Sequence, residues 1–217
     1  MEGVSDELFP RVRAEPTPGA VHLPDRLGPA ERHALLAACR EWARPPAGLR
    51  TVRFGGGVMS VRQLSLGRHW YAGGYAATAV DGDGAPVKPF PAWLGDWARR
   101  AVAAAGLPPP ADPYDIALVN FYDASARMGM HQDRDERSSA PVVSFSLGDS
   151  CVFRVAGAGH RGRPWTDTEL RCGDAFVLGG PARLARHGVP RIHPGTAPPD
   201  LGLTGRLNVT VRAYGPG

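Results

Sequence analysis

The sequence predicts an α+β domain in which two helices from the N-terminal half pack against an antiparallel β-sandwich or jelly roll. Two segments, residues 29–43 and 92–106, have the apolar spacing of amphipathic helices. From residue 114 onward, short β-rich segments follow one another, separated by Gly, Pro, Asp or Asn, with no helical pattern between them. This spacing is typical of antiparallel sheets. The 217 residues suffice for one domain with a substantial core.

The chain is expected to begin with an arm and a helix. Residues 1–28 are rich in proline and lack sustained periodicity, which predicts an extended N-terminal arm lying over the domain. Residues 29–43 place Leu35, Leu36 and Cys39 on one helical stripe, and the prolines that follow this segment end the helix.

Strands and a long flap are expected between the two helices. The strand-like pieces LRTVRF and VMSVRQLSL lie on either side of Gly55-Gly56-Gly57. Residues 67–91 are rich in glycine and aromatic residues, and the turn signal Asp83-Gly84 within them indicates a hairpin. The second helix, residues 92–106, ends where a glycine is followed by a proline two residues later.

The charge of the chain has two interpretations. The formal net charge is +4, and every basic residue counted in it except Lys88 is an arginine. Guanidinium groups bind phosphate oxygens bidentately, so one interpretation is affinity for nucleic-acid backbones. The other is a genome that favours arginine, alanine, glycine and proline codons, which also explains the 28 glycines and 22 prolines. Composition alone favours the second.

Nothing in the pattern indicates export or a membrane. The first residues are acidic and polar, and no apolar run approaches the length that spans a bilayer. The three cysteines, Cys39, Cys151 and Cys172, are odd in number and widely spaced, which argues against a disulfide framework and a zinc knuckle. We therefore expect a cytoplasmic protein.

A histidine and an aspartate separated by one residue, His131 and Asp133, form either half of a metal site or an ordinary polar rim. In a strand, residues two apart point to the same face, so both side chains would aim at one point. His187 is the best candidate for a third ligand, because a β-rich stretch leads into it and a turn follows. Two histidines and a carboxylate hold Fe(II) and leave positions open for cosubstrate and O₂. His160 and His193 are rivals that we interpret as surface residues.

The segment RLNVTVR near the C-terminus shows strict period-two alternation. Its polar face carries Arg206, Asn208, Thr210 and Arg212. A solvated edge strand is the alternative, but two arginines on one face call for an anionic partner, and a dicarboxylate is a natural match. Upstream, Asn120 and Tyr122 are again two residues apart, on the strand before the His-Asp pair. An iron triad and a double-arginine strand together describe a 2-oxoglutarate site.

These motifs, in this order, resemble the AlkB family of Fe(II)/2-oxoglutarate dioxygenases. The resemblance runs through nearly the whole chain, since ELFP, GAVHLP, GGGVMSV, GGY and VSFSLG also occur in the expected order. It implies one dioxygenase domain over residues 1–217, with a double-stranded β-helix (jelly roll) core at 114–214. Two helices would pack against one of its sheets, and residues 51–91 would form a nucleotide-recognition flap.

The resemblance also implies roles for individual residues. The catalytic set would be His131, Asp133, His187 and Arg212, of which the first three would ligate iron. The cosubstrate contacts would come from Asn120, Tyr122, Ser144, Arg206, Asn208 and Arg212. In that set Arg206, assisted by Tyr122, would pair with the distal carboxylate of 2-oxoglutarate, while Arg212 and Asn120 would surround the iron-chelating end. Asn208 and Ser144 would add hydrogen bonds, and Ser146, on the same face, is an alternative to Ser144.

The implied reaction is oxidative demethylation of 1-methyladenine and 3-methylcytosine in DNA, preferentially single-stranded, because such a methyl is inaccessible in a duplex. The reaction would use Fe(II) as cofactor, consume 2-oxoglutarate and O₂, and release formaldehyde, succinate and CO₂. The partner would be alkylated DNA, and the protein a monomer with no membrane association. Two alternatives stay open: the same chemistry on RNA or tRNA, and a catalytically idle nucleic-acid-binding module.

Seven residues are candidates for substrate contacts: Met59, Arg68, His69, Trp70, Tyr75, Asp135 and Arg161. Trp70 or His69 would stack on the base opposite His131, although Trp70 in flap or core packing is an equal alternative. Arg68, at the usual position of the stacking tryptophan, would stack or contact phosphate, and Tyr75 and Arg161 would contact phosphate. Asp135 would accept from an exocyclic amino group or belong to a solvated cluster. Met59 would line the pocket, and Leu178 stands where a tryptophan is familiar.

Overall fold

The computed structural model describes residues 10–157 and 163–215, which form two α-helices, two short 3₁₀ helices and three β-sheets. The α-helices are α1 (Pro29–Ala43) and α2 (Ala92–Ala104), and the 3₁₀ helices are Gly180–Ala182 and Pro199–Leu201. The strands are, in chain order, β1 (Ala14–Thr17), β2 (Ala20–Leu23), β3 (Arg50–Phe54), β4 (Gly57–Leu66), β5 (His69–Tyr71), β6 (Gly74–Ala76), β7 (Ile116–Tyr122), β8 (Met128–His131), β9 (Val142–Gly148), β10 (Ser150–Ala156), β11 (Trp165–Leu170), β12 (Ala175–Leu178), β13 (His187–His193) and β14 (Arg206–Arg212).

The strands build an antiparallel jelly roll. An eight-stranded sheet has the order β1-β2-β12-β9-β14-β7-β4-β3, and a four-stranded sheet has the order β11-β10-β13-β8. β5 and β6 pair separately as a small hairpin, which we call the flap hairpin (residues 69–76). The predicted fold class, a jelly roll with two helices on one sheet, is confirmed. Across the described residues, no helix combines the length and apolar content needed to cross a membrane.

Alternation along β14 sorts apolar and polar side chains to opposite faces of the large sheet. Leu207, Val209 and Val211 join the core that also contains Leu36 of α1 and Leu94 of α2, and all are buried. This core holds the helices on the outer face of the sheet, because burying a leucine side chain is worth about 2 kcal/mol. The polar residues of β14 are therefore left facing the interior of the roll.

The register of the central strands positions the polar groups. β14 lies between β7 and β9, with Arg206 opposite Tyr122 and Asn208 opposite both Asn120 and Ser146. Because facing residues in antiparallel strands project to the same side, these side chains converge between the two sheets. Sheet pairing thus brings together motifs that lie far apart in the sequence.

The N-terminal segment differs from the extended arm expected over residues 1–28. Within its described part, β1 and β2 form a hairpin that pairs with β12 at the edge of the large sheet. All four residues of β2 are buried. Four-residue strands are too short to show a periodic pattern, so these two are not predicted from the sequence.

The flap is also smaller than the range 51–91 suggests. β3 and β4 are full members of the large sheet, and β4 pairs with β7 over five residues from Arg62 to Leu66. The part that stands apart from both large sheets begins at Gly67, whose φ of +77° and close approach to the Asp115 carbonyl favour glycine. The jelly roll accordingly includes strands outside the predicted core of 114–214.

A buried carboxylate, Asp174, fastens the N-terminal segment to the roll. Its side chain is fully buried and accepts hydrogen bonds from Arg11 at 2.8 Å and pairs with His22 Nε2 at 2.8 Å. Burial raises the pKa of Asp174, but these two partners lower it further, to about 2. The carboxylate is therefore ionised at neutral pH and links three separate parts of the chain.

Candidate metal centre and its cavity

A cavity of about 720 Å³ lies between the two large sheets and carries the predicted motifs on its walls. Its polar lining includes His131, Asp133 and Arg206, and its apolar lining includes Met59 and Leu178. A volume of this size is in the usual range for small-molecule and cofactor sites. It is therefore the natural place to look for chemistry.

Three predicted ligands converge in this cavity. The candidate ligand atoms of His131, Asp133 and His187 all lie within 4.8 Å of one another. His131 is the last residue of β8, His187 is the first of β13, and the two face each other in the antiparallel pair, with ring centroids 4.4 Å apart. The strand register, and not sequence proximity, brings the second histidine to the first pair.

The local reasons for this convergence differ from those expected. β8 ends at His131, so Asp133 reaches the site from the loop after the strand and not from the same strand face. A turn precedes His187 and a strand follows it, the reverse of the predicted order. Of the rival histidines, His193 lies at the far end of β13, and His160 lies outside the described residues.

Backbone carbonyls orient both imidazoles toward the centre. His131 Nδ1 lies 2.9 Å from the Gly129 carbonyl oxygen, and His187 Nδ1 lies 3.0 Å from the Ala185 carbonyl oxygen. A carbonyl only accepts, so each Nδ1 carries a proton and Nε2 is the ring nitrogen that can ligate a metal. Both Nε2 atoms lie 3.7 Å from an oxygen of Asp133, beyond hydrogen-bonding distance. This arrangement suits ligands around a shared ion.

Asp133 is ionised and incompletely satisfied. Burial raises its pKa, but the positive charge of Arg212, 2.7 Å away, together with the nearby imidazoles lowers it to about 2. Its Oδ2 atom is buried and has no hydrogen-bond partner among the described residues. Burial lowers the pKa of His187 to about 4, so this ring is neutral at pH 7. A buried anionic oxygen without a partner is costly, which favours a cation at this point.

Arg206 is a buried guanidinium that faces the cavity. It is 1% exposed and donates to Ser146 Oγ at 2.9 Å and to the Asp149 carbonyl oxygen at 3.3 Å. Its Nε has no partner among the described residues. Tyr122 lies directly opposite it on β7 and is also buried. A buried guanidinium bonded only to neutral oxygens is suited to receive a carboxylate.

Arg212 has a different environment from the one expected. One Nη donates to Asp133 Oδ1 at 2.7 Å, and the other donates to Glu136 Oε1 at 2.8 Å and to the Tyr75 hydroxyl at 3.2 Å. Arg212 is therefore already neutralised by two carboxylates. A contact with the chelating end of 2-oxoglutarate, as the resemblance implies, would have to share this guanidinium with them.

The remaining cosubstrate candidates form short polar contacts along the same wall. Asn120 Oδ1 accepts from Gln63 Nε2 at 3.0 Å. Asn208 donates to Ser144 Oγ and accepts from Thr210 Oγ1 at 2.7 Å. Both serines are thus engaged, since Ser144 contacts Asn208 and Ser146 contacts Arg206. The two serines are therefore not alternatives, because each contacts a different predicted cosubstrate residue.

The residues present fit a ferrous ion and a dicarboxylate. Two imidazole nitrogens and one carboxylate supply three ligands on one side, the set that non-haem iron uses when other positions stay open. The buried guanidinium of Arg206 lines the same cavity and offers a site for a second, distant carboxylate. The buried atoms Asp133 Oδ2 and Arg206 Nε, which have no hydrogen-bond partner among the described residues, support this fit.

The candidate base-stacking residues separate clearly. Trp70 lines the cavity with His131, and its indole Nε1 donates to Asp135 Oδ2 at 2.7 Å. His69 is 2% exposed, and its Nε2 contacts Asp81 at 2.5 Å, so stacking on a base is wrong for this residue. The two side chains point to opposite sides because they are neighbours on strand β5.

The other predicted substrate contacts are distributed around the opening. Met59 and Asp135 line the cavity, whereas Arg68 is exposed and stacks on the ring of Tyr214 at 4.3 Å. The hydroxyl of Tyr75 points inward to Glu136 and Arg212, which contradicts its expected contact with phosphate in this conformation. Arg161 lies outside the described residues.

Sequence reasoning missed two charged residues beside the triad. Glu136 lies in a run of charged residues that predicts a solvated cluster around Asp135, yet its carboxylate is fully buried against Arg212 and Arg183. Arg183 was not singled out, and it donates to the Asp133 carbonyl oxygen at 2.7 Å. No local pattern distinguishes them from surface charges; the only available signal was their closeness in sequence to Asp133 and His187.

Comparison with known proteins places this geometry in context. A family model described as the 2OG-Fe(II) oxygenase superfamily matches residues 19–212. An alpha-ketoglutarate-dependent dioxygenase AlkB homolog from Caulobacter vibrioides (strain NA1000 / CB15N) is 51% identical over 104 residues, which is 48% of this chain and 46% of that protein. The alpha-ketoglutarate-dependent dioxygenase AlkB of Escherichia coli (strain K12) is 36% identical over 168 residues, 74% of each protein.

A solved structure gives the same result for the fold. The structure described as "The structure of OsALKBH1" superposes with a TM-score of 0.84 at 31% identity, covering 94% of this chain and 100% of that chain. The alignment with the Caulobacter relative spans about half of that relative's length.

Proposed function

The chain belongs to the AlkB family within the 2OG-Fe(II) oxygenase superfamily, and from this premise we propose that it demethylates N-alkylated bases in nucleic acid. The substrates would be 1-methyladenine and 3-methylcytosine in DNA, preferentially single-stranded, with Fe(II), 2-oxoglutarate and O₂ as cofactor and cosubstrates. The observation that carries the proposal is the convergence of His131, Asp133 and His187 beside the buried Arg206 in one cavity.

The chain's own residues divide the work. His131, Asp133 and His187 would hold the iron, and their backbone partners keep the imidazoles aimed at it. When bound, the metal supplies the activation of O₂ that oxidises the methyl group. Arg206 would bind the distal carboxylate of 2-oxoglutarate, since this buried guanidinium has no carboxylate partner among the described contacts. Together these groups would fix the metal and the cosubstrate in one cavity.

Trp70 and Asp135 would hold the flipped base at the mouth of the cavity. The hydrogen bond from the indole Nε1 leaves Asp135 able to accept a further donor, such as the exocyclic amino group of adenine or cytosine. His131, which is partly exposed and also lines the cavity, would lie on the other face of the base. Stacking of this kind is worth about 1–3 kcal/mol per base.

A direct assay tests the proposal. The purified protein, supplied with Fe(II) and 2-oxoglutarate, should release formaldehyde from a single-stranded DNA oligomer that contains 1-methyladenine or 3-methylcytosine. Asp133→Ala should abolish release, while Asp96→Ala, at an exposed position on α2, serves as the matched control. Formaldehyde at the wild-type rate from the Asp133 variant would refute the metal assignment.

The RNA alternative is separated by competition. Equal concentrations of methylated DNA and RNA oligomers of one sequence are offered together, and the faster-consumed oligomer identifies the preferred substrate, because 2′-hydroxyl contacts decide this choice. An idle binding module would retain oligomer without consuming 2-oxoglutarate. The cytoplasmic location and monomeric state are proposals that fractionation and light scattering would test.

A further inference from the structure

Glu136 lies at the centre of a buried link between the flap hairpin and the metal centre. Its side chain is fully buried, and its Oε1 accepts from the hydroxyl of Tyr75 at 2.5 Å and from Arg212 at 2.8 Å. Its Oε2 lies 3.2 Å from Arg183. Tyr75 belongs to β6, so one carboxylate touches the flap hairpin and two arginines of the jelly roll.

The link continues from Glu136 to a proposed iron ligand. Arg212, which contacts Glu136 through one Nη, donates through the other to Asp133 Oδ1 at 2.7 Å. The Tyr75 hydroxyl also lies 3.2 Å from Arg212. The path from the flap hairpin to Asp133 therefore has two intermediate side chains through Glu136, or one through the direct contact of Tyr75 with Arg212, and every contact along both paths is within hydrogen-bonding distance.

Arg183 holds the other side of the same group. It donates to the carbonyl oxygens of Asp133 and Ala140, both at 2.7 Å, so it fixes the loop that carries Asp133 and Glu136. Two carboxylates and two guanidinium groups thus balance one another in a buried cluster. Such a cluster is weak evidence for stability alone, because buried ion pairs lose much of their attraction to desolvation.

We propose that Glu136 is a positioning residue that makes the flap hairpin and the cosubstrate end of the cavity depend on each other. It holds Arg212 against Asp133 and, through Tyr75, fastens the flap hairpin to the same guanidinium. A carboxylate of 2-oxoglutarate that approaches Arg212 meets a guanidinium whose two Nη groups are held by Glu136 and Asp133 and whose buried Nε has no partner among the described residues, so its binding would shift Arg212. Any shift of Arg212 changes the contact with Tyr75, and by linkage a shift of the flap hairpin changes cosubstrate binding.

This inference rests on the proposed function for its kinetic test. In Tyr75→Phe the ring stays but the hydroxyl is lost, while both arginine contacts of Glu136 remain. We expect formaldehyde released per succinate formed to fall about fivefold or more. The KM for 2-oxoglutarate should stay within about twofold of wild type, because Arg206 is untouched and Arg212 loses only its 3.2 Å contact with Tyr75 while keeping both of its ion pairs. Glu136→Gln should lower the same ratio further. Tyr71→Phe, on the same hairpin outside the link, is the matched control.

A second measurement needs no turnover. Hydrogen exchange of the amides at residues 69–76 is followed before and after addition of Mn(II) and 2-oxoglutarate. Wild type should show slower exchange in the flap hairpin on addition, and Tyr75→Phe should show no change. If wild type releases no formaldehyde, the proposed function fails while the exchange experiment still tests the link.

Two results would overturn the inference. One is a wild-type ratio of formaldehyde to succinate in Tyr75→Phe; the other is the full wild-type slowing of exchange in that variant. A variant in which both products fall in proportion would point to general damage and would count against the link. Should Glu136→Gln fail to fold, Tyr75→Phe decides alone, because it keeps every buried charge of the cluster.

Discussion

Replacing Arg206 by methionine should raise the free energy of unfolding of the cosubstrate-free protein and lower its affinity for 2-oxoglutarate. In the structure the guanidinium is 1% exposed, is bonded to Ser146 Oγ and the Asp149 carbonyl oxygen, and has an unpartnered Nε. A buried charge without a counter-charge costs several kcal/mol, and two hydrogen bonds to neutral oxygens return only part of this. Methionine fills much of the same volume without charge.

The two opposing effects have different magnitudes. Removal of the buried charge, less the two lost hydrogen bonds, should raise the free energy of unfolding by about 1 kcal/mol, which corresponds to about 3 °C in Tm for a domain of this size. Loss of one partner of a desolvated charge pair costs about 2–5 kcal/mol, so affinity for 2-oxoglutarate should fall at least about thirtyfold.

Thermal unfolding with and without 2-oxoglutarate and Mn(II) measures both effects in one titration. Wild type should gain Tm as 2-oxoglutarate is added, and Arg206→Met should start higher and gain almost nothing. Arg154→Met is the matched control, because Arg154 lies on β10 and pairs with Asp167 at the surface. The reasoning is refuted if the variant binds 2-oxoglutarate within threefold of wild type, or if its unliganded form unfolds well below wild type.

Three further outcomes are expected. Trp70→Phe loses the 2.7 Å hydrogen bond to Asp135 but keeps an aromatic ring, so the KM for a methylated oligomer should rise about tenfold. The rate of succinate formation without oligomer should not change. An unaltered KM would contradict a role for that hydrogen bond. Gly188→Ala places a Cβ 2.9 Å from the Gly129 carbonyl oxygen that orients His131, so Mn(II) affinity should fall about tenfold. In the control variant Gly129→Ala the new Cβ has no atom within 4 Å, and Mn(II) affinity should be that of wild type. Asp174→Asn should lower the free energy of unfolding at pH 7 by about 2 kcal/mol. The folded-state pKa of Asp174, about 2, is below its unfolded value, so the ionised carboxylate stabilises the fold above pH 4 and this contribution is lost as the pH falls toward 2. Urea titrations at pH 7 and pH 2 should show the difference between variant and wild type shrinking, and a constant difference would contradict the assignment.

The motifs with internal spacing were predictable from the sequence. The alternation of β14 indicated which residues share a face, and the structure places Arg206 and Arg212 on the inner face of one strand. His131, Asp133 and His187 were likewise identified, although the local structure around Asp133 and His187 was not. Period-two patterns predict side-chain positions well, because the pleat of a strand places alternate side chains on opposite faces of the sheet.

Features that depend on long-range packing were not predictable. Glu136 is one of five consecutive charged residues, 133–137, and nothing local shows that it turns inward between Arg183 and Arg212. The inward direction of Tyr75 depends on the same burial. Local sequence describes propensity and alternation, whereas these contacts are decided by which distant strands become neighbours.

The hairpin of β1 and β2 has a consequence for how the protein behaves in concentrated solution. It covers the outer side of β12, whose four residues Ala175–Leu178 are all buried. Detachment of the hairpin would uncover a flat apolar border with free amide and carbonyl groups, which another copy could extend by adding its own strand. The opposite border, β3, presents the exposed Arg53, whose charge discourages such addition. Self-association, if the hairpin is cut away, should therefore start at β12 and spare β3.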